Sequence, residues 1–572
     1  MFKPEIDKTA SLVVDAERAE ELRQLSLNMT SLTLNRRQML DLEMLLAGGF
    51  SPLSGFLGAA DYQSVVNTMR LQNGRLWPIP VVMDVAKDFA DKLQTGDQIA
   101  LRDEEGWMVA VLTLEEIWER DKAEEAKQVF GSQDESHPGV ANLLQTGNEI
   151  CLSGRLEGIQ LPTHYEFEQL WKTPQELRDN FRKLDWRRVI AFQTSRPMHR
   201  LHRDLLLEAA DEHNAFLLIH PVAGITRPRD LQYYSRVHCY QAMMSHLPSG
   251  LAQLSLLPLA MRMAGPREAL WHGLLHRNYG CSHYLVGPDD SSPRDDTGGG
   301  LFYEKYAAAE LVQEYKEELG IEPICVEERR YNPRRRRFFP VSQIVKENNG
   351  NGEGEMFAEE ELRRRMLRQE EIPEWWSFPE ILAKLEKAYP PRSRQGFTLF
   401  FTGLSGSGKS TLAKVLYAKL IEEGSRPVTL LDGDIVRNSL SSELTFSKAH
   451  RDINIRRIGF VANEITKNGG VAICAPIAPY QGTRRAVRAL IEEHGSFIEI
   501  HVSTPLEACE ARDRKGLYAK ARKGLIPEFT GISDPYEEPE NAELVVDTTE
   551  LSPLAAAREI ILYLVREGYV HS

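Results

Sequence analysis

Fourteen residues decide the fold of the C-terminal part of this chain: Phe397-Thr398-Leu399-Phe400-Phe401-Thr402-Gly403-Leu404-Ser405-Gly406-Ser407-Gly408-Lys409-Ser410. The last eight match G-x-x-x-x-G-K-[ST], the phosphate-binding loop (P-loop) pattern that follows a strand and opens a helix. Its glycines let successive backbone N–H groups point inward around a triphosphate at the positive end of that helix. The pattern therefore predicts a nucleoside triphosphate site in which Lys409 reaches the terminal phosphates and the Ser410 hydroxyl ligates Mg²⁺. The predicted triphosphate-binding residues are Gly403, Ser405, Gly406, Ser407, Gly408, Lys409, Ser410 and Thr411.

The composition is that of a globular protein with several domains. At 572 residues, with 42% hydrophobic and 8% aromatic content, the chain is too long for one hydrophobic core. Its net charge of −14 argues against a general nucleic-acid binder, because a polyanion would be repelled. The six cysteines are scattered without a C-x-x-C pair, which favours reduced thiols. The sequence has no signal-peptide pattern and no bilayer-length apolar run, so we expect a cytoplasmic protein without membrane contact.

A second parallel sheet is predicted upstream of the P-loop domain. Residues 188–192 read as a buried strand, 205–213 as a helix and 216–219 as the next strand, which together make a βαβ unit. The run 348–354 is rich in Asn and Gly and too polar to pack, so it marks a break before the P-loop domain.

The beginning of the chain has a different pattern. Short strand candidates at 79–83 and 107–112 are separated by turns and favour a β-rich domain. The predicted divisions are a β-rich domain at 1–162, a parallel-sheet domain at 163–345, a small helical segment and linker at 346–394, and the P-loop domain at 395–572.

Acidic and basic residues follow the second strand of the P-loop domain. Leu430-Leu431-Asp432-Gly433-Asp434 places two carboxylates at the carboxyl end of that strand, a position that suits Mg²⁺ or a phosphoryl acceptor. Arg437 comes next, and Phe446, Arg451 and Asn454 lie in one short segment. Arginines beside an aromatic ring suit an acceptor that carries both an anion and a base.

Several separated motifs of the C-terminal part resemble adenylyl-sulfate kinase. They are Asp432-Gly433-Asp434 and the segments 451–459, 509–513, 515–518 and 529–531, and the likeness covers essentially all of 395–572. This family phosphorylates the 3′-hydroxyl of adenosine 5′-phosphosulfate (APS) with MgATP. The resemblance therefore implies ATP as co-substrate, Mg²⁺ as the metal and APS as the acceptor.

The same resemblance implies roles for individual residues. Lys409, Asp432 and Asp434 act in catalysis, with Ser410 and Asp432 holding Mg²⁺, and Arg512 packs near the ATP base. Residues 515–520 form a basic lid that excludes water from the phosphates. The implied APS-binding residues are Arg437, Phe446, Arg451, Asn454, Lys520 and Phe529, with the two phenylalanines stacking on adenine.

One turn of this region departs from the family pattern. Some members have Ser as a proposed phospho-acceptor where this chain reads Ile477-Ala478-Pro479-Tyr480. Alanine cannot carry phosphate, so the sequence predicts direct in-line transfer from ATP. Gln481 stands where the family commonly has Arg, which predicts a modestly weaker grip on the substrate.

Most of residues 1–390 resemble ATP sulfurylase, which makes APS from ATP and sulfate. The likeness includes the segments 49–53, 220–222, 261–269 and 372–375. It implies a β-rich, PUA-like N-terminal domain and a Rossmann-like nucleotidyltransferase domain. With the C-terminal P-loop kinase domain and its parallel sheet, the chain is predicted to be an α/β multidomain protein. The implied sulfurylase-like site consists of Gln193, Arg196, His199, His202 and Arg262.

The active-site motifs of that second family are altered here. Its sulfate-binding loop reads Gln-Thr-Arg-Asn-Pro, but Ser195 takes the arginine position and Arg196 the asparagine position, which points the sulfate-binding fork elsewhere. Its motif Gly-Arg-Asp-His-Ala-Gly-Pro appears as 287–293, where Asp290 brings negative charge toward a triphosphate. A third motif is replaced around 356–359. These departures predict little or no sulfurylase activity.

The sequence thus predicts an APS kinase fused to an inactive sulfurylase-like region. One alternative is a working bifunctional enzyme in which Arg196 compensates for Ser195. Another is an N-terminal half that serves as a scaffold or a nucleotide sensor. The family resemblance also implies assembly into dimers or hexamers.

Overall fold

The computed structural model describes residues 11–226, 231–293, 300–347, 355, 359–445, 447–513 and 516–571. The side chains of 345–347, 359, 360, 434 and 435 lie outside that description. Contacts divide the chain into two units, of which the first combines Met1–Phe357 with Pro373–Ala388. The second combines Ala358–Ile372 with Tyr389–Ser572.

A mixed five-stranded sheet forms the N-terminal part of the first unit, in the order β1-β3-β4-β5-β2. β1 pairs parallel with β3, and the other pairs are antiparallel. The strands are β1 Thr30–Thr33, β2 Met83–Val85, β3 Gln98–Arg102, β4 Met108–Glu119 and β5 Ile150–Gly158. The helices are α1 Ala16–Leu25, α2 Arg36–Leu46, α3 Ala59–Thr68, α4 Lys87–Ala90, α5 Lys122–Glu125 and α6 Pro138–Ala141.

The two strand predictions in this region had different outcomes. The candidate at 107–112 lies in β4, which begins at Met108 and is twice as long as expected. The candidate at 79–83 was wrong except for its last residue, since β2 begins only at Met83. Residues 79–82 are buried but belong to no strand, and Pro80 has no N–H to donate to a strand ladder.

The first unit also contains a five-stranded parallel sheet, in the order β10-β9-β6-β7-β8. Its strands are β6 Val189–Phe192, β7 Phe216–Ile219, β8 Ala252–Leu254, β9 His283–Val286 and β10 Glu322–Cys325. Its helices are α7 Pro174–Lys183, α8 Arg200–His213, α9 Tyr233–Met244, α10 Pro266–Asn278, α11 Ala307–Glu314 and α12 Lys316–Leu319. The predicted βαβ unit is present as β6, α8 and β7, although α8 begins five residues earlier than expected.

The segment predicted as a separate linker, 346–394, is shared between the two units. An antiparallel hairpin, β11 Arg329–Asn332 and β12 Arg337–Pro340, leads into α13 Val341–Glu347. The next helix, α14 Glu359–Arg368, belongs to the second unit, where the Arg392 N–H donates to the Leu367 carbonyl at 3.1 Å. α15 Pro379–Ala388 returns to the first unit and packs on α9.

The second unit is built on a five-stranded parallel sheet in the order β14-β15-β13-β16-β17. Its strands are β13 Phe397–Thr402, β14 Val428–Asp432, β15 Val471–Ala475, β16 Ser496–Val502 and β17 Leu544–Val546. Its remaining helices are α16 Lys409–Glu423, α17 Gly433–Leu440, α18 Lys448–Lys467, α19 Gln481–Glu492, α20 Leu506–Ala511, α21 Leu517–Arg522 and α22 Pro553–Arg566.

The central strand of this sheet explains why the sequence folds this way. All six residues of β13 are buried, as expected of a strand covered by helices on both faces. The strands are parallel, so the loops after β13, β14 and β15 meet at one edge, where ligands bind in such sheets. The predicted α/β multidomain fold, with a parallel-sheet P-loop domain at the C-terminus, is confirmed. Across the described part of the chain, no helix has the length and apolarity to span a bilayer.

Candidate functional site

The loop between β13 and α16 has a shape that requires glycine. Gly403, Gly406 and Gly408 have φ angles of 145°, 76° and 102°, which side-chain-bearing residues rarely adopt. A Cβ on Gly403 would lie 2.5 Å from the Val502 carbonyl oxygen, and one on Gly408 would lie 3.2 Å from Thr548 Oγ1. The backbone can therefore close around a phosphate group only with these glycines in place.

Lys409 is buried at the start of α16 and turns back over the loop. Its Nζ donates to the carbonyl oxygens of Gly403 at 2.8 Å and Leu404 at 2.6 Å. Burial lowers the pKa of Lys409 to about 8, against the opposing effects of Cys509 and Asp432. The ammonium group thus lies where phosphate oxygens can replace loop carbonyls as its partners.

The two predicted magnesium ligands lie together. The Ser410 hydroxyl donates to Asp432 Oδ1 at 3.1 Å, which joins the first turn of α16 to the end of β14. A hydroxyl and a carboxylate are hard oxygen ligands, so the pair fits a Mg²⁺ ion that also binds phosphates and water. Thr411 is exposed on the next position of the helix. The backbone of Asp434 lies in the first turn of α17, but its side chain is outside the described part of the chain.

Two flanking segments hold the P-loop from outside. Thr548 Oγ1 donates to the Ser407 carbonyl at 2.8 Å, and Arg512 donates to Thr548 Oγ1 at 2.9 Å and to its carbonyl at 2.7 Å. The Tyr518 hydroxyl donates to the Ser405 carbonyl at 2.8 Å. Arg512, which was predicted to lie near the ATP base, is therefore connected to the P-loop through Thr548.

The first turns of α18 carry two of the predicted acceptor-binding residues. Ser447 caps this helix by accepting a hydrogen bond from the His450 N–H. Arg451 and Asn454 are three residues apart, so their side chains share one helix face. Among the described residues, neither Arg451 Nε nor Asn454 Oδ1 finds a hydrogen-bond partner, and both atoms are buried. Phe446, predicted to stack on adenine, lies outside the described residues.

Arg451 is held by Thr530 and Asp534, for which the sequence predicted no role. Its NH1 donates to Thr530 Oγ1 at 2.7 Å, and its NH2 lies 2.8 Å from Asp534 Oδ2. The Tyr480 hydroxyl donates to the same Asp534 oxygen at 2.6 Å. The only sequence signal was that Asp534 follows Phe529 closely in the chain.

The other predicted acceptor-side residues are less closely grouped. Arg437 NH1 donates to the two carbonyls of 444–445 at 3.4 Å each, at the turn that leads to α18. Phe529 is half-buried and packs edge-on against Tyr518, with ring centroids 5.1 Å apart. Lys520 is exposed on α21, in the part of the predicted lid that the structure describes.

The turn that lacks a serine is tightly packed. Ala478 is 2% exposed, and its carbonyl accepts hydrogen bonds from Thr402 Oγ1 at 3.2 Å and from Arg484 NH1 at 2.8 Å. The Gln481 N–H donates to Glu537 Oε2 at 2.6 Å. A buried methyl group at this position offers nothing to phosphorylate.

In the first unit, both arginines of the sulfurylase-like site face carboxylates of the protein. Arg196 NH2 lies 3.6 Å from Asp289 Oδ2. Arg262 NH2 donates to both carboxylate oxygens of Asp41 at 2.8 and 2.6 Å, and Asp41 is fully buried. The guanidinium of Arg262 also lies over the Trp271 ring. Internal carboxylates therefore supply the negative charge that a sulfate or phosphate would otherwise bring.

The two histidines of this site pack against each other at the start of α8. The His199 N–H donates to His202 Nδ1 at 3.1 Å, and the His199 ring stacks on Trp376 at 4.8 Å. Burial lowers the pKa of His199, and it lowers the pKa of His202 to about 4. Both rings are neutral at pH 7 and add no positive charge for a triphosphate.

Gln193 and Asp290 complete this region. Gln193 Nε2 lies 3.1 Å from the His272 ring, and its Oε1 lies 3.0 Å from His276 Nε2, so the amide is used inside the protein. Ser291 Oγ donates to Asp290 Oδ1 at 2.9 Å. Burial raises the pKa of Asp290 above its ordinary value, which makes its repulsion of a triphosphate weaker than the sequence alone predicted.

Three family models match successive parts of the chain. The PUA-like domain model matches residues 2–161, the ATP-sulfurylase model matches 168–388, and the adenylylsulphate kinase model matches 395–547.

Several relatives are similar to this chain over nearly its whole length. A sulfate adenylyltransferase of Phaeosphaeria nodorum is 45% identical over 557 residues, covering 97% of this chain and 96% of the relative. One of Mycosarcoma maydis is 45% identical over 565 residues, covering 98% of each chain. A solved structure described as a hexameric APS kinase from Thiobacillus denitrificans is 40% identical, covers 98% of each chain and superposes with a TM-score of 0.76.

Proposed function

Because the chain belongs to the sulfate adenylyltransferase family and carries both ATP-sulfurylase and adenylylsulphate kinase domains, we propose that it is an APS kinase. The reaction converts ATP and APS to ADP and 3′-phosphoadenosine 5′-phosphosulfate. The observation that carries this proposal is the juxtaposition at one sheet edge of the second unit. The P-loop with its Ser410–Asp432 pair lies there, and the first two turns of α18 carry Arg451 and Asn454 before the chain returns through β15.

Separate sets of residues are proposed to bind the two substrates. The P-loop N–H groups and Lys409 bind the ATP phosphates, and Arg512 supports the loop through Thr548. A Mg²⁺ ion bound at Ser410 and Asp432 would neutralise charge on the phosphates. Arg437, Arg451, Asn454, Lys520 and Phe529 bind APS, and Phe446 is proposed to join them from outside the described residues. Asp434, at the start of α17, is proposed to act on the acceptor hydroxyl.

Transfer is proposed to be direct. Ala478 offers no hydroxyl, so the γ-phosphoryl group passes from ATP to the acceptor without a phosphorylated enzyme. Positioning two bound substrates in line supplies much of the rate acceleration in such reactions.

The sulfurylase-like region is proposed to be inactive. Arg196 and Arg262 face internal carboxylates, and the two histidines are uncharged at pH 7. The relative described as a hexameric APS kinase also spans both halves of the chain. The second candidate, a bifunctional enzyme, is favoured by the relatives at 45% identity that are named for sulfate adenylyltransferase activity.

Assembly and location are part of the same proposal. The hexameric neighbour supports a homo-oligomer, a dimer or a hexamer. All six cysteines are free thiols, which supports a reducing compartment such as the cytoplasm. The net charge of −14 supports nucleotides rather than nucleic acid as partners.

Phosphoryl transfer from γ-labelled ATP to APS tests the kinase assignment. The full-length chain is expected to turn over, and Asp432→Asn is expected to lower kcat by roughly 10²–10³-fold, because an oriented charge at the reacting centre is lost. Glu422→Gln, an exposed carboxylate on α16, is the matched control and is expected to keep normal turnover. No transfer by the wild-type chain, or equal rates for the wild type and Asp432→Asn, would contradict the assignment.

A further inference from the structure

Asp534 is the centre of a polar cluster that the kinase roles above do not use. One carboxylate oxygen accepts the Tyr480 hydroxyl at 2.6 Å and lies 2.8 Å from Arg451 NH2. Thr530, four residues earlier, accepts from Arg451 NH1 at 2.7 Å. Burial, and then the hydrogen bond to Asp534, raise the pKa of Tyr480, so this phenol keeps its proton and remains the donor.

The segment that carries Asp534 is fastened to the sheet edge. The Glu537 N–H donates to the Pro479 carbonyl at 2.9 Å, and Arg484 NH2 donates to the Glu537 carbonyl at 2.8 Å. The Tyr536 hydroxyl lies 2.9 Å from Thr402 Oγ1. Thr402 ends β13 and directly precedes the P-loop, so the segment is fixed to the same sheet edge as the P-loop.

The cluster orients the Arg451 guanidinium group but provides no acceptor for its Nε–H group. A guanidinium group is planar and has five N–H donors, so the NH1 hydrogen bond to Thr530 and the ion pair between NH2 and Asp534 set the direction of Nε. Within the described residues, Arg451 Nε remains buried without a partner, as does the acceptor Asn454 Oδ1 on the same helix face. Buried polar atoms in native proteins are normally paired, so this donor and this acceptor suit a polar ligand that binds beside them.

We propose that Asp534 is the positioning residue for the acceptor nucleotide, an inference that rests on the proposed kinase function. With Tyr480 and Thr530, Asp534 holds the Arg451 guanidinium so that its free N–H meets the anionic group of the acceptor. Asp534 itself touches neither substrate and acts through Arg451. Its loss therefore weakens acceptor binding more than ATP binding.

Steady-state kinetics of the full-length chain with ATP and APS test this assignment. Asp534→Asn is expected to raise the KM for APS about tenfold and Asp534→Ala about 100-fold, because a misdirected charge-assisted contact is lost. Asn keeps an acceptor for Tyr480 and Arg451, so it should rescue part of the loss. The KM for ATP is expected to stay within about twofold, since Lys409 and the P-loop are untouched.

Two further variants keep the test decisive if Asp534→Ala folds poorly. Tyr480→Phe removes only the hydroxyl that donates to Asp534, and it is expected to raise the KM for APS several-fold. Glu443→Gln removes an exposed carboxylate that pairs with Arg457 at 2.6 Å and is the control. Thermal unfolding of each variant shows whether the chain remains folded.

The outcomes separate the inference from the function on which it rests. No APS phosphorylation by the wild-type chain would remove the proposed function. An active wild type with an unchanged or lower KM for APS in Asp534→Asn and Tyr480→Phe would overturn the positioning role alone. Equal rises in both KM values with a lower unfolding temperature would assign Asp534 a purely structural role, which also overturns the inference.

Discussion

The buried P-loop lysine predicts a specific dependence of ATP capture on pH. Burial lowers the pKa of Lys409 to about 8, so the ammonium charge is present below that pH and is lost above it. At pH 7 about 90% of the free chains carry this charge, and at pH 9 about 10% do. Because kcat/KM reports ionisations of the free enzyme, kcat/KM for ATP should fall about tenfold between pH 7 and pH 9.

Saturating ATP should move this dependence to higher pH. Bound phosphates are opposite charges beside Lys409, and they raise its pKa and keep it protonated. The assay is coupled ADP release at fixed saturating APS, with ATP varied at each pH. We expect kcat to change little across the range in which kcat/KM for ATP falls.

The matched variant is Lys409→Arg, whose guanidinium stays charged at every pH of the assay. This variant is expected to be slower overall, because Arg does not fit a site built for an ammonium group, but to lack the decline above pH 8. A wild-type kcat/KM for ATP that stays constant from pH 7 to about pH 9.5 would refute the reasoning, since the titration must appear within that interval. The same decline in Lys409→Arg would also refute it.

Three further substitutions test other parts of the structure. Gly403→Ala is expected to abolish ATP binding, because the added Cβ would lie 2.5 Å from the Val502 carbonyl oxygen. Calorimetry measures the binding, and an affinity like that of the wild type would contradict the loop geometry. Arg262→Ala removes the ion-pair partner of the fully buried Asp41, so it is expected to lower the free energy of unfolding of the first unit by about 3–5 kcal/mol. Urea unfolding measures this change, and an unchanged midpoint for that unit would contradict the expected loss of stability. Ala478→Ser is expected to gain no covalent phosphate from γ-labelled ATP, because position 478 is only 2% exposed. An increase in the mass of this variant by one phosphoryl group would contradict direct transfer.

Much of the second unit could be predicted from the sequence because its signals are local. The P-loop places a strand, a turn and a helix start within 14 consecutive residues, and the structure has β13 and α16 in those positions. The position of Asp432 was predictable for the same reason, since it is the last residue of the strand that carries it.

Contacts between distant parts of the chain could not be predicted in this way. Arg262 and Asp41 are 221 residues apart, and Tyr480 and Asp534 are 54 apart, so no spacing pattern connects either pair. Residues 79–82 have the apolar character of a strand, but Pro80 prevents regular pairing there. The composition of a segment indicates whether it is buried, but its contacts with distant residues are known only from the folded structure.

We propose that this chain phosphorylates APS and does not make it. Molybdate-dependent pyrophosphate release from ATP by the purified full-length chain tests this most directly, with APS phosphorylation by the same preparation as the control for folding. We expect APS phosphorylation without pyrophosphate release above background. Robust pyrophosphate release together with kinase turnover would contradict it, and would show that Arg196 binds the sulfate analogue despite the carboxylate of Asp289 nearby.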